Sequence, residues 1–476
     1  MSGIPPVQPQ SMPDLPELAI EPAIESAVPS AIGSELESTD LISKAFLTQR
    51  FLRLALVNIL SNLTVPLAGL VSVAFLGHLS ELRYLTGVTL STVLFNYLYR
   101  TLGFLRMSTT GVTAQAVGRK NSSDVLLIGL RNGGLAIGLG LLVLICQYPI
   151  RQLGFALLNA EPAIEAAAQS YYDARIWAAP ATLLNFVVIG WLLGQERSGQ
   201  VLLISAIGNG LNILLDYGFI VGWGWNSAGA GWAITISQWV MAGLGLGLIG
   251  RSVIWRDLKA IASQIWDRSA MQQTLALNGN IFVRTLAFLS TFSVFTSLSA
   301  VLGEVQFAEN ALLLQVFSLA VYLIDGLAFA TESLIGILHG QQQRSGLRFV
   351  MQLSGVASLG FGLGFALLFL LVPQPLFALL TNHQEVLNSI DRSVIWLIPV
   401  LGFGSLAFML DGYFLGLAEG PTLRNVAILS SLIGFAPIAL LAWQLQNNDL
   451  LWLALAVFMA LRVLFLGIQV PRTLQK

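Results

Sequence analysis

Twelve apolar stretches follow one another almost without interruption between residues 51 and 470. Each is about as long as the 20 residues a helix needs to cross the hydrocarbon core of a bilayer. They lie at 51–77, 85–117, 125–149, 165–193, 200–221, 228–250, 272–300, 308–337, 348–372, 388–416, 422–443 and 450–470. Lipid offers no partner to a backbone N–H or C=O, so only helices or a closed barrel can span it. Runs this long do not read as the roughly 10-residue alternating strands of a barrel. The pattern therefore predicts an all-α polytopic membrane protein. Only 10% of the 476 residues are charged, against about 25% in soluble domains. The formal net charge of −1 gives no reason to expect a nucleic-acid partner.

An even number of spans puts both termini on one side. Fifteen Lys and Arg residues fall on that side, from Lys44, Arg50 and Arg53 to Arg472 and Lys476, and only Arg83, Arg151 and Arg392 on the other. The positive-inside rule then places both termini in the cytoplasm, and the membrane is expected to be a plasma membrane, the bacterial inner one. Residues 1–43 carry seven acids, repeated prolines and no Lys or Arg. They fit neither a signal peptide nor a transit peptide and are expected to form a disordered cytoplasmic tail.

The chain repeats itself. GWLLGQERSGQV at 190–201 matches GYFLGLAEGPTL at 412–423, an offset of 222, and each copy carries a Trp-x-x-Pro, at Trp177 to Pro180 and Trp396 to Pro399. Leu157-Leu158 likewise matches Leu379-Leu380. Six spans is an even number, so the two halves enter the membrane in the same direction, as a parallel repeat. The predicted domains are an N-lobe at 44–250, a cytoplasmic amphipathic linker helix at 251–271 and a C-lobe at 272–476. Transporters that rock two lobes about a central cavity are built this way.

Charges inside the spans are the candidates for function, because an Asp at the centre of a membrane helix costs roughly 2.5–3.5 kcal/mol. In the span at 308–337, Gln315, Ser318, Tyr322, Asp325 and Glu332 are spaced to share one helical face. In the span at 200–221, Ser205, Asn209, Asn212 and Asp216 do the same, with Asn212 placed to donate to Asp216. A desolvated Asp is what a proton-coupled carrier needs, and interhelical packing is the competing reading for such polarity. Arg284 needs a counter-charge, which Asp325, Glu332 or Asp411 can supply, leaving another carboxylate to titrate. Arg100, Arg106, Arg131, Arg175 and Arg462 are the other arginines inside spans.

Other features exclude rather than point. Only four lysines exist and there is no phosphate loop, so ATP is not the direct energy source on this chain. No HExxH pair or Gly-x-Ser-x-Gly elbow is present, which disfavours an intramembrane enzyme. Cys146 is a lone thiol, expected to be buried and inert. His78, His339 and His383 fall near span ends. Gly243-x-x-x-Gly247 and Gly360-x-x-x-Gly364 read as helix-packing motifs.

LTVPLAGLVSVAFLGHL at 63–79, GFLRMSTTGVTAQAVG at 103–118, NALLLQVFSLAVYLIDGLAFATESLIG at 310–336 and MLDGYFLG at 409–416 together resemble the DinF branch of the multidrug and toxic compound extrusion (MATE) family. The resemblance covers essentially the whole chain after the tail. It implies twelve transmembrane helices in two six-helix lobes around a V-shaped central cavity, working as a cation-coupled exporter of an organic solute. Asn212 and Asp216 match the Asn-x-x-x-Asp of such relatives, which contributes to an N-lobe cation site, and Thr235 matches a further polar member of it. Two positions depart from the pattern. Ser72 stands where relatives commonly carry an Asp, and a hydroxyl cannot titrate. Arg284 stands where some NorM-type relatives carry a coupling Glu.

The reading from sequence is a secondary-active antiporter, not an enzyme, with H+ placed ahead of Na+ as the coupling ion. Its coupling residues are Asp216, Asn212, Thr235 and Ser72, and its C-lobe cavity residues Asp325, Glu332, Arg284, Asp411, Tyr322 and Gln315. No cofactor or metal is expected beyond the transported ion. The partners are a small organic solute and the lipid bilayer, and the chain is expected to act as a monomer. The alternatives are a lipid-linked oligosaccharide flippase of the same architecture and, in another class, an intramembrane enzyme or channel.

Overall fold

The structure, a computed structural model, describes residues 28–158, 161–252, 261–381 and 383–475. Two units divide the chain, Met1–Phe46 and Leu47–Lys476. Of the predicted disordered tail, residues 1–27 lie outside the described residues. From Val28 onward the backbone is helical, which the absence of proline between Pro29 and Pro66 permits. All that follows concerns the second unit.

The apolar spans are helices. They are α1 (Val28–Gly77, apolar from Lys44), α2 (Leu82–Leu102), α3 (Phe104–Gly118), α4 (Ser122–Ile145), α5 (Pro162–Gly194), α6 (Ser198–Gly222) and α7 (Asn226–Arg251). There follow α8 (Arg268–Val301), α9 (Glu304–Gly340), α10 (Arg344–Leu371), α11 (Gln384–Gly416), α12 (Gly420–Leu445) and α13 (Asn448–Gln475). Among the described residues, eleven helices are long and apolar enough to cross a membrane. The twelfth span, predicted as one helix at 85–117, is α2 and α3 broken at Gly103. Gly lowers helix propensity there, and Arg100 and Arg106 flank the break. Asn121 caps α4 by accepting from the Asp124 amide at 3.1 Å, and Asp267 caps α8 by accepting from the Ala270 amide at 2.8 Å. Residues 253–260 of the predicted linker helix at 251–271 lie outside the described residues; its described part includes a 3-10 turn at Ala262–Gln264.

The repeat is written into the backbone as well as the sequence. Positive φ occurs at Lys120 and Gln342, and again at Glu196 and Ala418, two pairs each displaced by 222 residues. A 3-10 turn interrupts α5 at Ile176–Ala178 and α11 at Val394–Trp396. Pro180 and Pro399, the prolines of the repeated Trp-x-x-Pro, follow these turns; lacking an N–H, each leaves a carbonyl of the preceding turn without its helical donor. A six-residue π turn lies in α6 at Tyr217–Gly222 and in α12 at Ser430–Phe435. Two lobes of six spans each result, α1–α7, in which α2 and α3 make one broken span, and α8–α13.

Aromatic residues fill each lobe. Phe95 stacks on Tyr172 at 5.2 Å in the N-lobe, and Phe295 meets Trp452 edge-on at 5.1 Å in the C-lobe. Between the lobes runs a glycine seam. Gly111 lies against the Leu415 carbonyl, Gly118 against that of Ile337, Gly340 against that of Gln115, and Gly336 against Ala114. A Cβ at any of these positions would overlap its neighbour, so glycine is what lets α3 approach α9 and α11 so closely. Gln115 donates to the Gly416 carbonyl at 2.9 Å. Ser108 donates to Asn278 at 2.6 Å, and Asn278 to Asn132 at 3.1 Å, a buried chain joining α3, α8 and α4.

Two expectations are corrected here. Cβ atoms at Gly243, Gly247, Gly360 and Gly364 would meet nothing within 4 Å. The close approaches are instead made by Gly245 against Val188 and Gly362 against Ser405, because a four-residue spacing fixes a face without saying which face is packed. Cys146 is half-buried rather than buried, since it sits at the C-cap of α4.

Candidate functional site

The shared face predicted on α6 exists, and its partner is α1. Ser61 donates to Ser205 at 3.2 Å. Asn209 donates to Thr64 at 2.8 Å. Ser72 donates to Asp216. These three rungs form a polar ladder between the two helices. Each such bond contributes roughly 0.6–2 kcal/mol in a membrane, so the ladder accounts for the helix pairing. It does not account for all of Asp216, which is 0% exposed and whose Oδ1 has no hydrogen-bond partner. The π turn of α6 begins at the next residue, a distortion often found at functional sites.

Two other predicted members of this site are placed differently. Asn212 does not donate to Asp216: its amide nitrogen is buried and unpartnered. A four-residue spacing brings the two side chains to one face, but Asp216 is turned to α1 by Ser72. Thr235 on α7 donates to the Ala174 carbonyl of α5 at 2.8 Å, which commits its hydroxyl to backbone.

The C-lobe holds a second buried cluster. Arg284 of α8 pairs with Asp411 of α11, and Arg462 of α13 pairs with the same Asp411 oxygen. Of the three acids open to Arg284 by sequence, Asp411 is the one it contacts. Arg462 was legible only as an unexplained arginine within a span; its guanidinium also lies 5.2 Å from the Phe288 ring centre and 5.5 Å from that of Phe408. The other span arginines resolve similarly. Arg175 donates to Tyr171 at 2.6 Å and lies 4.5 Å from the Phe95 ring centre. Arg131 donates to the carbonyls of Gln264 and Ile265 at 2.7 and 3.1 Å.

The predicted face of α9 grades in burial. Gln315 is exposed, Ser318, Tyr322 and Asp325 are half-buried, and Glu332 is buried. Among the described residues Asp325 makes no ion pair within 4.0 Å. The Tyr322 carbonyl accepts from Asn62 of α1 at 3.2 Å, so this face meets the N-lobe. Glu332 lies 3.8 Å from Arg106 of α3. Arg106 also lines a cavity of about 280 Å³ together with Asn58, Asn62, Asn185, Asn209 and Gln238 of the N-lobe and Phe329 of α9. The amides of this cavity were missed by sequence reading, since Asn58, Asn185 and Gln238 lie on three different helices and share no spacing.

Comparison with known proteins agrees with this layout. The MatE family model matches the chain twice, at residues 58–218 and 281–440, once in each lobe. The chain is similar to DNA damage-inducible protein F of Escherichia coli (strain K12), 35% identical over 434 residues, covering 90% of this chain and 93% of that one. It is similar to Protein DETOXIFICATION 44, chloroplastic, of Arabidopsis thaliana, 28% identical over 84% of this chain and 77% of that one. Among solved structures it superposes on one described as the outward-facing conformation of a multidrug resistance MATE family transporter of the MOP superfamily. That match has a TM-score of 0.81 and 18% identity, covering 90% of this chain and 97% of that one.

Proposed function

Because this chain belongs to the MatE family of multidrug and toxic compound efflux transporters, we propose that it exports a small organic solute by alternating access, coupled to entry of H+ rather than Na+. It is an integral membrane transporter and not an enzyme. The observation that carries the H+ reading is the state of Asp216: fully buried, with one hydroxyl donor and one carboxylate oxygen without a partner. A lone carboxylate that passes between dry and wet surroundings takes up a proton in one and releases it in the other. That exchange biases the conformer in which it occurs. An alkali cation instead needs a shell of several oxygens. Among the described residues Ser72 is the one side chain that hydrogen-bonds Asp216.

The C-lobe acid Asp411 is a weaker candidate, since two arginines hold it. Ser72 acts by orienting Asp216, and Asn212 by offering an unpartnered amide beside it; Thr235 supports the fold of α7 on α5. In this reading the lobes are 44–250 and 272–476, the chain works as a monomer in a bacterial inner membrane, and both termini are cytoplasmic. The glycine seam, at the Gly118 and Gly340 end, then closes the cytoplasmic side, and the half-buried face of α9 lines a cavity open to the other. The test is efflux by reconstituted protein under separately imposed H+ and Na+ gradients, with Asp216→Asn as the variant that should lose coupling while still inserting.

A further inference from the structure

One charge of the buried cluster comes from the opposite lobe. Arg106, on α3, places Nη1 3.8 Å from a carboxylate oxygen of Glu332 and lays its guanidinium 3.7 Å from the Phe329 ring centre, both on α9. Glu332 is 1% exposed, and neither its Oε1 nor Arg106 Nη1 has a hydrogen-bond partner. The pair is therefore close but not closed into a bidentate clamp. It stands at the inner end of the seam: from here toward Gly118 and Gly340, α3 and α9 run backbone against backbone.

Arg106 also has a second set of acceptors within its own lobe. It lines one cavity with Asn58 and Asn185 of the N-lobe, which Phe329 of α9 closes on the other side. Asn58 is 2% exposed and Asn185 3%, and the Oδ1 atoms of both are buried without a donor. A guanidinium presents five donors and stays charged, so it favours whichever side offers it acceptors. With Glu332 ionised, the Coulomb attraction in this dry setting holds it to α9. With Glu332 neutral, that attraction is gone and the unpartnered amide oxygens of Asn58 and Asn185 are the better surroundings.

We propose that Arg106 and Glu332 form the latch of the interlobe seam, and that neutralising Glu332, by a proton or by substitution, turns Arg106 away from α9 toward Asn58 and Asn185 of the N-lobe and lets the lobes part at the Gly118 and Gly340 end. Arg106 is a positioning residue for the conformational step of transport. The other charges about Glu332 are Asp325 on its own helix and Arg284 of α8; beyond them lie Arg100 of α2, which acts on Asp325, and Asp411 of α11 with Arg462 of α13. Arg284 and Arg462 both contact Asp411. Arg106 is the one cation within 4.0 Å of Glu332 among the described residues.

The proposal rests on the alternating-access reading, and its test is separable from transport. With Cys146→Ala as background, nitroxide labels at Ser123→Cys and Gln343→Cys report the separation of the lobes at the seam end, in nanodiscs without gradient or substrate. The expected result is a short distance in the parent protein and a rise of about tenfold in the ratio of long to short distances in Glu332→Gln. Arg106→Gln should shift the distribution in the same direction, and the double variant should shift it no further than either single one, since both remove one interaction. An unchanged distribution in Glu332→Gln and Arg106→Gln, or fully additive shifts in the double variant, would overturn the latch. A latch that behaves as described in a protein that drives no efflux would instead remove the transport reading and leave the latch standing.

Discussion

The Ser72 hydroxyl of α1 donates a hydrogen bond to the Asp216 carboxylate of α6. The position at which the resemblance leads one to expect an acid thus faces the candidate coupling acid directly, and the pair here is a single acid with an orienting hydroxyl. A hydrogen bond to a charged group contributes about 1.5–3 kcal/mol. Ser72→Ala should therefore slow efflux by roughly 10-fold to 100-fold while leaving it driven by the H+ gradient. Complete loss of coupling in that variant would make the hydroxyl part of the proton's path rather than a support for Asp216.

Two arginines on one aspartate make the C-lobe cluster unequal to mutation. Removing Arg284 leaves Arg462 and Asp411 as a neutral pair; removing Asp411 leaves two buried cations beside each other. Breaking a buried pair costs about 3–5 kcal/mol because of the charge left behind. Asp411→Ala should lower the thermal stability of purified protein far more than Arg284→Met, read by size-exclusion after heating. Equal losses would show that the unpaired arginines find other counter-charges, with Asp325 and Glu332 the nearest acids on offer.

The glycine seam is a statement about which end of the transporter is closed. A side chain at Gly118 would overlap the Ile337 carbonyl. Gly118→Val should part α3 from α9 and expose a cysteine placed at Ala114, 0% exposed here, to a membrane-impermeant thiol reagent in a Cys146→Ala background. Labelling about tenfold faster than in the glycine parent is expected, corresponding to about 1.4 kcal/mol of destabilised closure. Unaltered labelling would mean that the seam is not what closes this end.

Much of the architecture was legible because it is periodic. The spans follow from runs of apolar residues, the polar face of α6 from spacings of four and three, and the repeat from an offset that reappears in the backbone at Lys120 and Gln342. What periodicity cannot carry is the identity of the partner across a helix pair. It placed Asn212 beside Asp216 but not Ser72 opposite it, and it offered three acids to Arg284 without choosing Asp411. The packed glycines were misread for the same reason: Gly245 and Gly362, not their GxxxG neighbours, face another helix.

Outside the membrane, Glu196 follows α5 and pairs with Arg50 at 2.6 Å. Burial pushes the Glu196 carboxyl above the usual carboxylate range, and Arg50 pulls it part of the way back. An acid raised in the folded state favours folding most where it is protonated in both states, below about pH 4.3, and loses that contribution as pH rises through its folded value. The stability difference between the parent and Glu196→Gln, measured by thermal melts from about pH 4 upward, should move against the parent as pH increases. A difference that moves in its favour would show that the Arg50 pair outweighs the burial.

In the proposed cycle Asp216 carries the coupling proton. It is tested most directly by efflux of ethidium from proteoliposomes holding the parent protein or Asp216→Asn, with a pH gradient and a Na+ gradient imposed in separate runs. The parent should drive efflux under the pH gradient alone and not under Na+ alone, and Asp216→Asn under neither, with equal amounts of both proteins in the membrane. Efflux by Asp216→Asn under the pH gradient, or by the parent under the Na+ gradient, would contradict it.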